Sequence, residues 1–219
     1  MLTAYFISGL GADERAFQNL ELPAFIKPVY LSWIMPNEKE SLVSYSKRLS
    51  EGIDEKEPFI LFGLSMGGMV AVEIAKIKSP KKIIIISSIS NYHSFPYGMR
   101  TAGFLHLYNL IPVSWMKSAS LIKRIFMHEP APVKILIEEM IKESNGEFIK
   151  WALGAIANWK NDIVPPNLFH IHGEKDEIFP IKYCHPDVRI PNGTHMMVLT
   201  HAREINQILG KLFASLNKP

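Results

Sequence analysis

Ser65 stands in the pentapeptide Gly63-Leu64-Ser65-Met66-Gly67, and that spacing poses a chemical question. A G-x-S-x-G pattern places its serine on a sharp turn between a strand and a helix, with the hydroxyl standing clear of the chain. The turn is strained, so small neighbours are needed; a Cβ at Gly63 or Gly67 would collide with facing backbone. A serine hydroxyl is a poor nucleophile at neutral pH. It needs a base within hydrogen-bond reach and a third group to orient that base. The chain offers eight histidines and 21 acidic residues for those tasks. The competing reading is a glycine-rich turn with a structural serine, and the flanking residues discriminate between the two.

Those flanks have the right character. The apolar run Pro58 to Phe62 reads as a buried strand, and Met69 to Ile77 reads as a helix. Gly68 and Ala71 allow that helix to lie close to the sheet. Upstream, Thr3 to Ser8 reads as a strand that enters the turn Ser8-Gly9-Leu10-Gly11-Ala12-Asp13. A short helix from Asp13 or Glu14 carries Phe17 inward, and Val29 to Trp33 reads as the second strand. Asn37 with Glu40 predicts a capping box for a helix that buries Leu42, Tyr45 and Leu49. Lys82 to Ile89 is the most strand-like run and reads as a fully buried central strand. Leu168 to His172 and Val188 to Ile190 are further strands. A terminal helix, Leu199 to Leu216, buries Ile205, Ile208, Leu209, Leu212 and Leu216.

Residues 91–161 break the strand–helix alternation. Three amphipathic helices fit there, the first carrying Trp115, Ala119, Ile122 and Phe126. The second carries Val133, Leu136, Ile137, Met140 and Ile141, and the third Phe148, Trp151, Ala152, Ala155, Ile156 and Trp159. Ser144 and Glu147 are the expected caps of the third.

Bulk properties exclude several classes. The 219 residues suit one domain with an insertion, and 47% hydrophobic with 21% charged residues is ordinary for a soluble globular protein. A net charge of +3 is too small to imply a nucleic-acid partner. The single cysteine, Cys184, excludes an intrachain disulfide and fits a reducing compartment. The first strand begins close to Met1, which leaves no room for a secretory signal, so the expected location is cytoplasmic. Ile83 to Ile86 is too short to span a bilayer. No His, Cys and carboxylate set has metal-ligand spacing, neither common phosphate-loop pattern occurs, and no cofactor is expected.

On these motifs the chain resembles the α/β-hydrolase superfamily from Tyr5 to about Leu216. It looks most like small esterases and hydroxynitrile-lyase-like members with one helical cap. Leu64 stands where the family usually has His, and Ser8-Gly9 where it has His-Gly. The loop after Trp33 lacks the family's frequent D-x-x-G-x-G. The resemblance implies an α/β fold with a mostly parallel six-stranded sheet in the order 2-1-3-4-5-6. The core would be residues 1–90 and 162–219, with the helical cap, 91–161, inserted between. It implies the chain order serine, acid, histidine. His172-Gly173-Glu174-Lys175-Asp176-Glu177-Ile178-Phe179-Pro180 resembles the family's H-G-x-x-D-x-x-x-P, which makes Asp176 the acid and Glu174 the runner-up. His195, behind the turn Pro191-Asn192-Gly193-Thr194, is the base. His170 and His172 fall in a strand, His93, His106 and His128 in the insert, His185 before a proline, and His201 in the terminal helix. The amides of Leu10 and Met66 would form the oxyanion hole.

The expected activity is therefore hydrolysis of a small or medium apolar acyl ester or thioester through an acyl-enzyme on Ser65, His195 and Asp176. The expected partner is a small-molecule acyl substrate, with Trp115, Trp151 and Trp159 of the cap as candidate binding residues. A lyase or C–C hydrolase with the same three residues is one alternative. A slow, receptor-like protein that binds a small molecule under its cap is another.

Overall fold

The computed structural model describes residues 1–98, 101, 112, 115 and 117–216; His106 and the side chains of Ala119, Leu121 and Lys123 lie outside that description. Six strands form one sheet: β1 (Leu2–Ile7), β2 (Ile26–Tyr30), β3 (Phe59–Leu64), β4 (Lys82–Ile86), β5 (Leu168–Gly173) and β6 (Val188–Ile190). All pairings are parallel, in the order β2-β1-β3-β4-β5-β6 expected above. Among the described residues the α-helices are α1 (Leu42–Leu49), α2 (Met66–Ile74), α3 (Ala119–Ile125), α4 (Ala131–Glu143), α5 (Gly146–Ala157), α6 (Met197–Thr200) and α7 (Ala202–Leu216).

Alternation along the strands sorts the core into two layers. Tyr5, Ile7, Phe59, Leu61, Ile83 and Ile85 face α1, α2 and α5. Ala4, Phe6, Ile60, Phe62, Ile84 and Ile86 face the opposite side, where α7 buries Ile205, Leu209 and Phe213. Because both faces of the sheet are covered, the inner strands read as continuous apolar runs.

Several boundaries differ from the sequence expectation. The second strand lies at 26–30 rather than 29–33 and includes Pro28, paired with Ala4. A sheet edge tolerates proline because one side of its backbone is unpaired. The cap of α1 is Ser41, whose hydroxyl accepts from Ser44 N–H at 3.2 Å; Glu40 still reaches back to Asn37 N–H at 2.8 Å. β4 stops at Ile86, and Ser87 turns to φ 47° while its N–H still donates to Ile171 O at 3.2 Å. Asn145, not Ser144 or Glu147, caps α5, accepting from Glu147 N–H at 2.8 Å and Phe148 N–H at 3.1 Å. The terminal helix breaks at His201, and Phe213 joins Ile205 and Leu209 in its buried row, with Ile208, Leu212 and Leu216 only partly buried. No helix among the described residues is long and apolar enough to cross a membrane.

Candidate active site

Ser65 lies between the end of β3 and the start of α2, with φ 51° and ψ −120°. That conformation costs a non-glycine residue about 1–3 kcal/mol and persists only where the surroundings force it. Here they do. Ser65 N–H donates to Ile86 O at 3.0 Å, and the Ser88 hydroxyl donates to Ser65 O at 2.6 Å. A Cβ on Gly67 would lie 2.1 Å from Ile7 O, and one on Gly63 2.4 Å from Gly68 Cα, so no larger residue fits either position.

The ring of His195 reaches Ser65 from the loop after β6. Its Nε2 is 3.0 Å from Ser65 Oγ, and its Nδ1 is 2.9 Å and 3.1 Å from the two Asp176 carboxylate oxygens. Asp176 sits in the loop after β5, where its Oδ1 also accepts from Ile178 N–H at 2.9 Å and Phe179 N–H at 2.8 Å. The two loops are pressed together: Lys175 N–H donates to Gly193 O at 2.8 Å, and a Cβ on Gly173 would lie 2.2 Å from that oxygen. Glu174, the alternative acid, is exposed.

Electrostatics favour an ionised acid beside a basic ring. Burial pushes Asp176 up, but the adjacent His195, their hydrogen bond, His172 and the Phe179 amide outweigh it and hold the carboxyl below its ordinary range. Burial likewise pushes His195 down, and the carboxylates of Asp176, Glu177 and Glu129 outweigh it, so its net shift is upward. Beneath Asp176 lies a second layer. His172 Nε2 bonds Phe179 O at 2.7 Å, and His172 Nδ1 is 3.0 Å from His170 Nε2. Both rings are buried, which lowers both, His170 to about 3.

The turn after β1 closes the other side. A Cβ on Gly9 would lie 3.3 Å from Ser65 Cβ. Where the resembled family has histidine, the Ser8 hydroxyl donates to Ala12 O at 2.7 Å, and the Trp33 indole N–H is shared between Gly9 O and Ala12 O at 3.3 Å each. The turn is thus braced by a hydroxyl and an indole. Leu10 lies within it, and Met66 opens α2, where an amide has no intrahelical acceptor.

Ser65 and His195 open into a cavity of about 630 Å³ roofed by α3, α4 and α5. Gly9, Leu10 and Leu64 line its floor, and Ile137, Met140, Ile141, Ile149, Leu153 and Ile156 its roof. Among the described residues, Glu177 is the sole acidic side chain in the lining, which contains no Lys or Arg. Of the three tryptophans expected here, Trp115 lines the cavity. Trp151 and Trp159 do not. Trp151 packs on Tyr45 with ring centroids 4.4 Å apart and donates to Glu40 O at 2.7 Å. Trp159, 2% exposed, donates to Glu73 Oε1 at 2.7 Å. Each indole N–H turns to an acceptor outside the cavity, and α5 presents Ile149, Leu153 and Ile156 to the cavity instead. Two carboxylates not anticipated from the sequence approach the histidine segment: Glu177, which adjoins Asp176, and Glu129, which no local pattern marks. Among the described residues, no group of three or more His, Cys, Asp or Glu is arranged to hold a metal ion.

Comparison with known proteins agrees with this architecture. An esterase from Thermogutta terrifontis superposes with TM-score 0.77 at 15% identity, covering 100% of this chain and 91% of the esterase. A hydrolase from Oleispira antarctica gives TM-score 0.77 at 14% identity, covering 100% and 92%. A lipase-esterase related protein from Clostridium acetobutylicum gives 0.69 at 16%, covering 96% and 93%. No curated protein matches the sequence significantly. The sequence model of the alpha/beta hydrolase family matches residues 9–208. With nearly the whole chain matched and the sheet order in agreement, the protein belongs to the alpha/beta hydrolase family.

Proposed function

We propose that this hydrolase cleaves a small or medium apolar acyl ester or thioester through an acyl-enzyme on Ser65. The observation that carries this reading is the 3.0 Å contact between Ser65 Oγ and His195 Nε2 at the mouth of an apolar cavity. His195 Nε2 takes the hydroxyl proton as Oγ bonds to the acyl carbon, and the carbonyl electron pair moves onto oxygen. The amides of Leu10 and Met66 stabilise that oxyanion. Collapse breaks the bond to the leaving group, which receives the proton from His195; water then repeats the sequence and frees the acid. Asp176 holds the proton of the neutral ring on Nδ1 and stabilises the imidazolium. In this reading residues 91–161 are a cap that selects the acyl chain.

The lining of aliphatic side chains without Lys or Arg among the described residues supports a neutral, apolar acyl group. Esters of one alcohol with acyl chains of increasing length test it. Each methylene that fits contributes about 0.8 kcal/mol, so kcat/KM rises roughly fourfold per carbon and then drops once the cavity is full. A series that declines from acetyl onward, or that favours a charged acyl group, would refute the apolar-acyl reading.

A further inference from the structure

The segment carrying His195 is gripped from two sides. The N–H of His195 donates to Glu177 Oε2 at 3.3 Å, from the loop that carries Asp176. The next N–H along, that of Met196, donates to Glu129 Oε1 at 3.3 Å. Glu129 does not belong to the sheet or its loops. It lies between α3 and α4, 3% exposed, and its own N–H donates to Phe126 O at 3.1 Å. Phe126 and Met196 both line the cavity. Two consecutive amides beside the reacting ring are thus fixed by two carboxylates, one from the core and one from the roof. Burying a carboxylate costs several kcal/mol unless its contacts offset that.

We infer that Glu129 is a positioning residue: by holding the Met196 amide from the roof while Glu177 holds the His195 amide from the floor, it sets the imidazole against Ser65. Placement of the roof then becomes a condition of the reactive geometry. This inference rests on His195 acting as the base towards Ser65.

Glu129 acts on the ring in a second way, through charge. Among the described residues, the charged groups facing His195 are Asp176, Glu177 and Glu129, all acidic, with His172 behind Asp176 and the Phe179 ring edge-on, its centroid 5.7 Å from that of the imidazole. Burial drives the imidazole towards its neutral form, and the three carboxylates together drive it the other way. Removing one of the three lowers the pH at which His195 becomes a base.

The two effects separate in a pair of variants. Glu129→Gln keeps an acceptor for the Met196 amide and loses the charge. Glu129→Ala loses both. The measurement is the rate of covalent labelling of Ser65 by a fluorophosphonate from pH 5 to 9, with thermal unfolding recorded for each variant. Glu129→Gln is expected to shift the acid limb to lower pH while keeping a higher plateau rate than Glu129→Ala. Folded Glu129→Ala is expected to label about 10–100-fold more slowly at its plateau, the scale of a small misplacement of a reacting group. A purely structural role would lower the unfolding temperature and leave the midpoint in place. If Glu129→Ala does not fold, Glu129→Met, close in volume and without an acceptor, replaces it: a plateau rate below that of Glu129→Gln supports the inference and an equal plateau overturns it. A folded Glu129→Ala that labels at the wild-type rate also overturns it. Wild-type protein that is not labelled at Ser65 would instead refute the underlying nucleophile–base reading.

Discussion

The floor and the roof of the cavity are built by different rules. The floor is the carboxyl edge of the sheet, where the turns after β1, β3, β5 and β6 meet. Its geometry is stored in backbone: Gly63, Gly67 and Gly173 each face main-chain atoms where no Cβ fits, and Ser65 is held at positive φ. The roof is made of helices that meet the floor through side chains. Ile141 packs over Gly11, Arg15 bridges Asp13 of the turn after β1 to Glu143 of α4, and Glu129 reaches Met196. Backbone packing has few alternative arrangements, whereas side-chain packing tolerates exchange at roughly constant volume. On the proposed function, the reacting groups therefore reside in the floor and chain selectivity in the roof, which reaches the reacting groups through Glu129.

The largest expected effect tests the floor. Gly67→Ala puts a methyl 2.1 Å from Ile7 O and 2.3 Å from Ser8 O. Both oxygens are main-chain atoms and cannot swing away as a flexible side chain would, so the expected outcome is loss of soluble protein or of all activity. Near-normal hydrolysis by Gly67→Ala would break the comparison.

Next comes Asp176→Asn, which keeps the shape of the floor and removes the acid. It is expected to lower kcat by about 10³–10⁴ if Asp176 orients His195 as in other such sites. Glu174→Gln, an exposed position, is expected to change little. The reverse ranking, measured on one ester, would move the orienting role to Glu174.

A smaller effect concerns stability. Burial, and after it the neighbouring His172, lowers His170 to about 3, while the unfolded chain titrates near 6.5. Between those values the unfolded state binds a proton that the folded state does not. The contribution is therefore full above about 6.5 and is lost as pH falls towards 3, at up to about 1.4 kcal/mol per pH unit. Chemical denaturation at pH 7 and pH 5 should show His170→Gln losing less stability on acidification than wild type. An identical loss would exclude His170 as a source of acid sensitivity.

The smallest effect is the control. Gly210 lies exposed in α7, and a methyl added there would meet nothing within 4 Å. Gly210→Ala is expected to stabilise by up to about 1 kcal/mol through helix propensity, seen as a higher denaturation midpoint with unchanged activity.

Much of the floor was legible in the sequence because its constraints are local. Glycines around Ser65, an apolar run before it and a helix after it leave few arrangements, and the segment from His172 to Pro180 carries its own pattern. The sheet order came from the resemblance. The second strand lies three residues before its expected place and takes in Pro28, which its edge position makes acceptable. The roof was less legible. α5 is apolar on two sides, so periodicity alone did not separate Trp151, turned to Tyr45, from Ile149 and Leu153, turned to the cavity. Glu129 left no signal at all, since a single acidic residue between two helices reads as solvated until its partner is known.

Covalent labelling tests most directly whether Ser65 is a nucleophile activated by His195. Folded protein is treated at neutral pH with excess fluorophosphonate, digested and mapped by peptide mass. The expected result is a single adduct, on Ser65, formed slowly or not at all in His195→Ala. An unmodified Ser65 in the wild-type protein, or equal labelling in His195→Ala, would contradict that role.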